Sequence, residues 1–309
     1  MPELETGQQR WTVAAGSNLL DALNEAGLHV PFSCRAGSCH ACLVRCLAGE
    51  PHDRKPDALS VGKREQGWRL ACQCQIVEDL QVAVFDPQGD GTAARVIGCD
   101  WLSTNVLRLR LLAERPLRYY AGQHMVLWTV AADGVRVARP YSIASLAQAD
   151  EFLEFHLSCR RPGAFIDQAR QFKVGDVVQV GEVRGGALHY DPEWQSRPLW
   201  LFAAGTGLAP LWGVLREALR QGHQGPIRVL HMADEHYLDE PLRALAQAHP
   251  NLMVEQLPAG EPPPLRLSSR QTIALVCGSP ISVEEFSRRL FLAGLPRSQL
   301  YSDVFVGRG

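Results

Sequence analysis

The chain has 309 residues, 46% of them hydrophobic, and its formal net charge is −2. This length exceeds one ordinary domain, so we expect two or three hydrophobic cores, and the near-neutral charge gives no electrostatic reason to expect nucleic acid as a partner. Residues 1–6 are polar and acidic, so we expect no signal peptide, and glycine and proline interrupt the most apolar stretch, residues 199–215, which argues against a membrane span.

The N-terminal segment begins with a predicted strand around residues 11–13 and a predicted helix over residues 18–26. Ser17 is the candidate N-cap residue of this helix, and Gly27 is the candidate residue after its C-cap. A loop of small residues follows directly, so the chain turns sharply after the helix.

Cysteines are the most informative residues of that loop. Three of them, Cys34, Cys39 and Cys42, lie in the loop. With Cys72, further along the chain, they form the array C-x4-C-x2-C-x29-C. This is the plant-type spacing of the ligands to an iron–sulfur cluster, and the small loop residues suit a backbone that directs several N–H groups at sulfur. A structural zinc site is the alternative, but zinc ligands usually come as two short cysteine pairs, whereas Cys72 stands alone. The spacing therefore favours a [2Fe–2S] cluster and an electron-carrying function.

The other cysteines form an odd-numbered set without the spacing of a disulfide framework: Cys46, Cys74, Cys99, Cys159 and Cys277. Unpaired thiols are typical of a reducing compartment, so we expect a cytoplasmic protein.

The middle of the chain has the pattern of short strands. Residues 86–92 are polar and turn-forming, which predicts a linker, and alternating apolar residues then predict strands over residues 106–111 and 152–159. Residues 177–180 form a further predicted strand. Several short strands joined by turns predict a small antiparallel barrel over residues 95–195.

The C-terminal part alternates between strand and helix. Its apolar runs are residues 199–204, 227–232, 252–256 and 273–277, and helical patterns separate them. This alternation predicts a parallel sheet with crossover helices. Ser282 and Glu285 form a capping-box pattern before a last helix that we expect to end near Gly294 and Pro296.

Two short motifs have residue types suited to nucleotide cofactors. The first is Arg139-Pro140-Tyr141-Ser142, in which the arginine can bind a pyrophosphate, the tyrosine can lie on a planar ring and the serine can bond to a ring nitrogen. The second is Gly205-Thr206-Gly207-Leu208-Ala209-Pro210, a glycine turn between a strand and a helix, where a diphosphate can meet a helix N-terminus. Alone, each motif is also consistent with an ordinary strand end or turn.

Together and in this order, the cysteine array and these motifs resemble the ferredoxin–NADP reductase superfamily, in particular the oxygenase reductase components that carry an N-terminal plant-type ferredoxin domain. Cys277-Gly278 supports the resemblance, and weaker similarities lie at residues 121–124 and 303–305. The resemblance implies three domains: an α+β ferredoxin domain of the β-grasp type over residues 1–86, an antiparallel β-barrel FAD domain over residues 94–195, and an α/β parallel-sheet NAD(P)-binding domain over residues 198–309.

The resemblance also implies roles for individual residues. Those expected to bind FAD are Arg139, Pro140, Tyr141, Ser142, His156, Leu157, Ser158, Gly163, Ala164, Phe165 and Phe305. Those expected to bind the nicotinamide cofactor are Gly205, Thr206, Gly207, Pro210, Asp234, Cys277 and Gly278. Ser142 would approach the flavin N5, Cys277 would lie beside the nicotinamide, Phe305 would cover a flavin face and Asp303 would help a proton reach it, and we group these four as catalytic.

Two positions depart from the family pattern. Ile166 stands where the family commonly has serine or threonine, so one hydroxyl contact to the FAD phosphates is missing. His40 stands in the cluster loop where glycine is common. Its imidazole could shield the cluster or mark the docking surface, but an exposed loop histidine is the simpler interpretation.

The choice between NADH and NADPH depends on the segment Ala233-Asp234-Glu235-His236. It contains two carboxylates and no arginine or lysine for a 2′-phosphate, and Asp234 can accept a hydrogen bond from a ribose hydroxyl. We therefore expect NADH, although acidic residues at a helix start are also common for structural reasons.

These expectations describe an NADH-dependent reductase that passes electrons through FAD and the [2Fe–2S] cluster to a protein acceptor, the terminal component of a mono- or dioxygenase. We expect it to be a monomer without nucleic-acid or membrane partners. The alternatives are an electron carrier or redox sensor without its own NADH turnover, a reductase for a non-oxygenase acceptor, and a zinc protein with a nucleotide-binding tail.

Overall fold

The computed structural model describes residues 1–7, 9–131, 133–260 and 262–305. Its strands form three large sheets, of five, six and five strands, and one two-stranded sheet. The large sheets follow one another along the chain, and hydrophobic side chains of the six-stranded sheet also pack into the cores of the two units beside it.

The N-terminal unit comprises the elements from Glu3 to Val84. Its strands are β1 (Glu3–Thr6), β2 (Gln9–Thr12), β3 (Leu43–Ala48), β4 (His52–Asp53), β5 (Trp68–Leu70), β6 (Cys74–Gln75) and β7 (Leu80–Val84), and its helices are α1 (Leu19–Glu25) and α2 (Val61–Glu65). The main sheet has the order β2-β1-β7-β3-β5, with β1 and β7 parallel and the other pairs antiparallel. This mixed sheet with one packed helix is the expected α+β architecture.

The N-cap prediction for α1 is wrong by one residue. Asn18, not Ser17, is the cap, and its side chain accepts a hydrogen bond from the Asp21 N–H. The Asn18 amide also donates to the carbonyl oxygens of Cys72 and Cys74, at 3.1 and 3.3 Å. Asn18 is the cap because its longer side chain joins the helix start to the cysteine segment more than 50 residues later.

The middle unit comprises the elements from Pro87 to Val180. They are α3 (Pro87–Asp90), β8 (Thr92–Ser103), β9 (Val106–Ala113), β10 (His124–Val130), β11 (Arg136–Ser142), β12 (Leu153–Ser158), α4 (Ala164–Ala169) and β13 (Val177–Val180). The antiparallel sheet has the order β11-β10-β13-β8-β9-β12. Its two end strands meet where the Ala144 N–H donates to Glu154 O at 2.8 Å, so the sheet closes into the predicted barrel.

The predicted linker is more structured than its composition suggests. Residues 87–90 form the short helix α3, Pro87 is buried, and β8 begins already at Thr92. Proline is well accommodated in the first turn of a helix, which explains why a turn-forming run becomes helical here.

The N-terminal and middle units share a hydrophobic core. Phe85 stacks on Trp128 of β10 with ring centroids 5.1 Å apart, and Val126, Trp128 and Ala138 pack into the core of the N-terminal unit. Lys63 of α2 forms an ion pair with Glu182, and Arg136 pairs with Asp86 at 3.2 Å. These contacts hold the N-terminal unit against the barrel.

We expect Trp128→Ala to loosen this interface, because truncating a buried aromatic side chain removes about 3–5 kcal/mol of packing. Limited proteolysis should then cut residues 86–91 faster than in the unaltered protein. Trp101→Ala is the matched control, since Trp101 is 52% exposed and Trp128 only 4%. Equal cleavage of the two variants would contradict the shared core.

The C-terminal unit comprises the elements from Leu199 to Val304. They are β14 (Leu199–Ala204), α5 (Leu208–Arg220), β15 (Ile227–Met232), α6 (Asp239–Ala248), β16 (Leu252–Leu257), β17 (Ile273–Gly278), α7 (Pro280–Leu292) and β18 (Leu300–Val304). The sheet is parallel with the order β16-β15-β14-β17-β18, so the strand order reverses beside β14. Helices cover both faces, and the crevice outside the carboxyl end of β14 is the topological switch point at which such sheets bind ligands.

The capping-box prediction for α7 is wrong. The cap is Ser279, whose hydroxyl accepts from the Ser282 N–H at 3.3 Å, with Pro280 in the first turn. Glu285 instead pairs with Arg288 and Arg289 on the helix surface. Proline fixes the helix start three residues earlier, because its φ is already that of a helix.

Short 3₁₀ helices complete the described structure: Pro56–Ala58, Ala71–Gln73, Pro192–Trp194, Gly205–Gly207 and Arg297–Gln299. None of the helices in the described ranges has the length and apolar character that crossing a membrane requires.

Candidate functional site

The cysteine array forms two sulfur pairs. A hydrogen bond joins the thiols of Cys34 and Cys39, another joins those of Cys42 and Cys72, and all four cysteines are free of disulfides. The Cys39 thiol lowers the pKa of Cys34 to about 4, and the Cys42 thiol lowers that of Cys72 to about 7, despite partial burial. The pKa of the partner thiol, Cys39 or Cys42, is raised in turn, so each pair stabilises negative charge on one of its two sulfurs.

Backbone and side-chain donors point at these sulfurs. The N–H groups of Ala36 and Cys39 donate to Cys34 Sγ at 3.3 and 3.4 Å. The Gln73 amide donates to Cys72 Sγ at 3.2 Å. Donors of this kind orient thiolate ligands and tune the potential of an iron–sulfur cluster.

The arrangement of the four cysteines in two pairs helps to distinguish an iron–sulfur cluster from a zinc site. A tetrahedral zinc ion needs its ligands around one point, whereas the binuclear cluster takes two cysteines on each iron. The two sulfur pairs fit the cluster better than zinc.

A cavity of about 360 Å³ lies between the cysteine loop and the barrel. It is lined by residues of three predicted motifs and of the C-terminal segment: Ser33, Cys34, Ser38, Cys39, His124, Arg139, Pro140, Tyr141, Ser142, Arg161, Pro162, Gly163, Phe165, Ile166, Asp303, Val304 and Phe305. The structure thus brings together residues that are more than 250 positions apart in the sequence. A ligand bound in this cavity would lie directly beside Cys34 and Cys39, one of the two pairs of predicted cluster ligands.

The barrel side of this cavity has the chemistry that a flavin needs. Arg139, Tyr141 and Ser142 lie at the end of β11, and burial raises the pKa of the Tyr141 hydroxyl, which therefore stays neutral. The Tyr141 ring packs on Phe165 of α4 with centroids 5.3 Å apart. The guanidinium groups of Arg139 and Arg161, together with an aromatic ring and a hydroxyl, surround one cavity. These groups suit a ligand in which a planar ring is joined to phosphate.

The loop before α4 contributes the other wall. Gly163 is the N-cap residue of α4, and Phe165 and Ile166 line the cavity. Because Ile166 presents an apolar side chain there, this loop offers a phosphate the Arg161 guanidinium and the backbone N–H groups of Ala164 and Phe165.

The C-terminal strand connects the cavity to the parallel sheet. Asp303 of β18 is the register partner of Cys277 in β17, and the Phe305 N–H donates to Gly278 O at 2.8 Å. Burial raises the pKa of Asp303, so this carboxyl holds a proton at higher pH than an exposed one. Burial also raises the pKa of the Cys277 thiol well above its usual range, so the thiol is neutral.

The glycine turn lies directly against Cys277. A side chain at Gly207 would place its Cβ 2.2 Å from the Cys277 carbonyl oxygen, so only glycine allows this approach. Gly205 has φ +54°, and the turn leads into α5 at Leu208. The switch point, the glycine turn and Cys277 therefore lie together at the carboxyl ends of β14 and β17. This end of the sheet is joined by the Phe305–Gly278 hydrogen bond to the cavity described above, which we call the flavin cavity.

Comparison with known proteins agrees with this geometry. Residues 4–77 match the model of the 2Fe-2S iron-sulfur cluster binding domain, and residues 95–190 match the model of the oxidoreductase FAD-binding domain. The chain is 31% identical to an aromatic O-demethylase reductase subunit from Amycolatopsis, over 91% of each chain. It is 30% identical to the ferredoxin–NAD(+) reductase component of an alkene monooxygenase system from Xanthobacter autotrophicus, over 89% of this chain and 86% of the relative.

The chain belongs to the ferredoxin–NADP reductase superfamily. Within it, the chain is an oxidoreductase of the oxygenase reductase type, with an N-terminal [2Fe–2S] domain, an FAD domain and use of a nicotinamide cofactor. Among solved structures, an Amycolatopsis cytochrome P450 reductase superimposes with a TM-score of 0.65 at 25% identity, over 99% of both chains. A ferredoxin reductase of carbazole 1,9a-dioxygenase, 23% identical over 98% of both chains, shares the fold with a TM-score of 0.61.

Asp234 of the reductase has a partner that its sequence context does not suggest. Its carboxylate forms an ion pair with Arg160, which follows β12 of the barrel. The neighbouring Glu235 accepts hydrogen bonds from Thr104 N and Oγ1 at 2.7 and 2.6 Å and from the Asn105 amide at 2.9 Å. This acidic segment therefore joins the C-terminal unit to the barrel, and the ribose contact of Asp234 stays a prediction.

The predicted FAD residues of β12 lie at the same junction. His156 is buried and bonds through Nε2 to Glu154 Oε1 at 3.0 Å, while the side chain of Leu157 packs into the barrel core. Ser158, at the end of β12, is exposed. Of the three, His156 lies between the barrel and the C-terminal unit, where its ring packs edge-on against Tyr237. None of the three is in the set that lines the cavity.

Three residues of the reductase site have no separate signal in the sequence. His124 and Arg161 line the cavity, and His231 lies beneath the glycine turn. His124 is the last residue of segment 121–124, which resembles a family strand start, but the resemblance gave it no role. His231 occupies one position in a buried strand, and only its contact with Gly205 identifies it.

Proposed function

We propose that this reductase takes electrons from NADH and delivers them to the terminal component of a mono- or dioxygenase. The cofactors supply the conversion of a two-electron donor into single electrons, from NADH through FAD to the [2Fe–2S] cluster. The observation that carries the proposal is the cavity in which Cys34 and Cys39 share a wall with Arg139, Tyr141 and Ser142.

The residues of the chain would bind and orient. Arg139 binds the FAD pyrophosphate, Tyr141 packs on its ring, and Ser142 bonds near its reacting nitrogen. Phe305, held by its bond to Gly278, covers the opposite side of the cavity. Asp303, whose pKa burial raises, holds a proton at its carboxyl beside that site.

The glycine turn would bind the diphosphate of the nicotinamide cofactor. Gly205, Thr206 and Gly207 present backbone N–H groups before α5, and Pro210 lies in the first turn of that helix. Cys277 and Gly278 would then border the nicotinamide end.

The proposed domain boundaries follow the predicted ones: 1–86 for the ferredoxin domain, 94–195 for the FAD domain and 198–309 for the NAD(P) domain. The proposed partner is an oxygenase component, because relatives at 28% and 30% identity are named as reductase components of a dioxygenase system and of an alkene monooxygenase system. We further propose a cytoplasmic monomer, since the described cysteines are free.

The preference for NADH over NADPH rests on residues 233–236. Arg160 lies against this segment, but its guanidinium pairs with Asp234, so it does not offer a 2′-phosphate an unpaired cation. We expect NADH to reduce the protein with a higher kcat/KM than NADPH. A strong preference for NADPH would contradict this assignment.

Anaerobic stopped-flow mixing of the loaded protein with NADH tests the function. We expect flavin bleaching followed by loss of the visible iron–sulfur absorbance. Absence of bleaching would favour an electron carrier or redox sensor without its own NADH turnover, and a spectrum without iron–sulfur bands would favour zinc.

A further inference from the structure

A fully buried histidine bonds to the glycine turn from below. His231 lies in β15 with 0% of its surface exposed, and its Nε2 is 3.0 Å from the carbonyl oxygen of Gly205. Burial lowers the pKa of His231 to about 4, so the ring is neutral at pH 7 and has a single N–H. Because the Gly205 oxygen can only accept, that N–H is on Nε2.

This hydrogen bond has a geometric consequence for the turn. The peptide unit between Gly205 and Thr206 is planar and trans, so its C=O and N–H point in opposite directions. When His231 holds the Gly205 oxygen inward, the Thr206 N–H must point outward from the sheet edge. Gly205 itself does not fix this direction, because glycine adopts its φ of +54° and other conformations with similar ease. The Leu208 N–H also donates to the Gly205 oxygen, so His231 and the start of the helix hold this oxygen together.

A second histidine fixes the tautomer of the first. His236 Nδ1 lies 3.4 Å from His231 Nδ1, where the unprotonated nitrogen of His231 can accept its N–H. Tyr237 packs edge-on against the His231 ring with centroids 5.4 Å apart. On its other side, Tyr237 packs in the same manner against His156 of β12. The His231 ring is thus held in both its tautomer and its plane.

We propose that His231 is a positioning residue for the nicotinamide cofactor: it turns the Gly205–Thr206 peptide so that the Thr206 N–H faces the cofactor diphosphate, and His236 keeps His231 in the tautomer that does so. This role rests on the proposed function of the glycine turn. His231 itself lies beneath the turn and acts through the backbone.

Direct binding of ADP-ribose to the FAD- and cluster-loaded protein tests this role. ADP-ribose has the diphosphate but no nicotinamide, so calorimetry measures binding without turnover. We expect His231→Leu to raise the Kd for ADP-ribose about tenfold, the effect of losing one well-ordered hydrogen bond. The KM for NADH should rise with it, while kcat changes by less than about twofold because the flavin cavity is intact.

Conservative variants separate positioning from packing. The amide nitrogen of glutamine reaches the position of a histidine Nε2, so His231→Gln should bind ADP-ribose within about threefold of the unaltered protein. Asparagine is polar but too short to reach Gly205 O, so His231→Asn should weaken binding as leucine does. The glutamine and asparagine pair keeps the test valid if His231→Leu fails to fold.

His223 offers a matched control in the same unit. It is also buried, its Nδ1 is 3.0 Å from the Tyr190 hydroxyl, and it precedes β15, at the sheet edge opposite the glycine turn. His223→Leu should leave ADP-ribose binding unchanged. If His231→Gln and His231→Asn weaken ADP-ribose binding equally, or if neither weakens it, the positioning role of His231 is overturned while the proposed function stands. Failure of the unaltered protein both to bind ADP-ribose and to be bleached by NADH would overturn the proposed function, and this role with it.

Discussion

Cys42→Ser is expected to remove the [2Fe–2S] cluster while leaving the flavin in place. Cys42 is 2% exposed and forms the second sulfur pair with Cys72, so an iron at that pair would lose one of its two thiolates. Transfer of electrons to a protein acceptor should fall to background. Flavin bleaching by NADH should continue, because the variant leaves the flavin cavity and the glycine turn unchanged.

Iron and acid-labile sulfide analysis, the visible spectrum and FAD content measure this outcome. Cys46→Ser is the matched control, since Cys46 is a half-buried cysteine of the same unit outside the array. We expect that control to keep its iron and its spectrum. Retention of full iron content by Cys42→Ser would contradict the assignment of the array.

Gly207→Ala is expected to lower kcat/KM for NADH by about a hundredfold. The added Cβ would lie 2.2 Å from the Cys277 carbonyl oxygen and 2.5 Å from the carbonyl carbon, so the turn and the end of β17 must separate. Displacement of reacting groups by about 1 Å costs on the order of 10²-fold in rate. The FAD spectrum and reduction by dithionite should be unaffected, because Gly207 does not line the flavin cavity.

Steady-state kinetics with NADH and FAD analysis measure this prediction. Gly62→Ala is the control, since Gly62 lies in α2 with no atom within 4 Å of its added Cβ. Alanine is the better helix former there, so this variant should be as stable as the unaltered protein or slightly more so. Normal NADH kinetics in Gly207→Ala would show that the turn can move away without disturbing the cofactor.

Local patterns predicted the parts of the structure that depend on local chemistry. The buried strands Leu199–Ala204 and Ile227–Met232 have the predicted bounds, because a continuous apolar run between turn residues leaves few alternatives. The cysteine array likewise carries its own spacing. The matching family models and the similar relatives confirm the family and the fold class that the motifs predicted.

Long-range contacts decided the features that the sequence did not predict. Asn18 replaces Ser17 as the cap because its amide also reaches Cys72 and Cys74, which no local pattern shows. Arg160 from another unit pairs with Asp234, a contact that no local pattern shows, while the ribose contact of Asp234 stays a prediction. His231 and His124 become site residues only when the sheets and cysteine loop are assembled around them.

The stacked pair Phe85 and Trp128 has a kinetic consequence. Because the ferredoxin domain shares its core with the barrel, we expect it to stay in place and the acceptor to approach the exposed part of the loop, at Arg35, Ala36 and Ser38. The observed rate of electron delivery should then rise in proportion to acceptor concentration until the complex with the acceptor saturates. A mobile domain would instead impose a plateau set by its own motion.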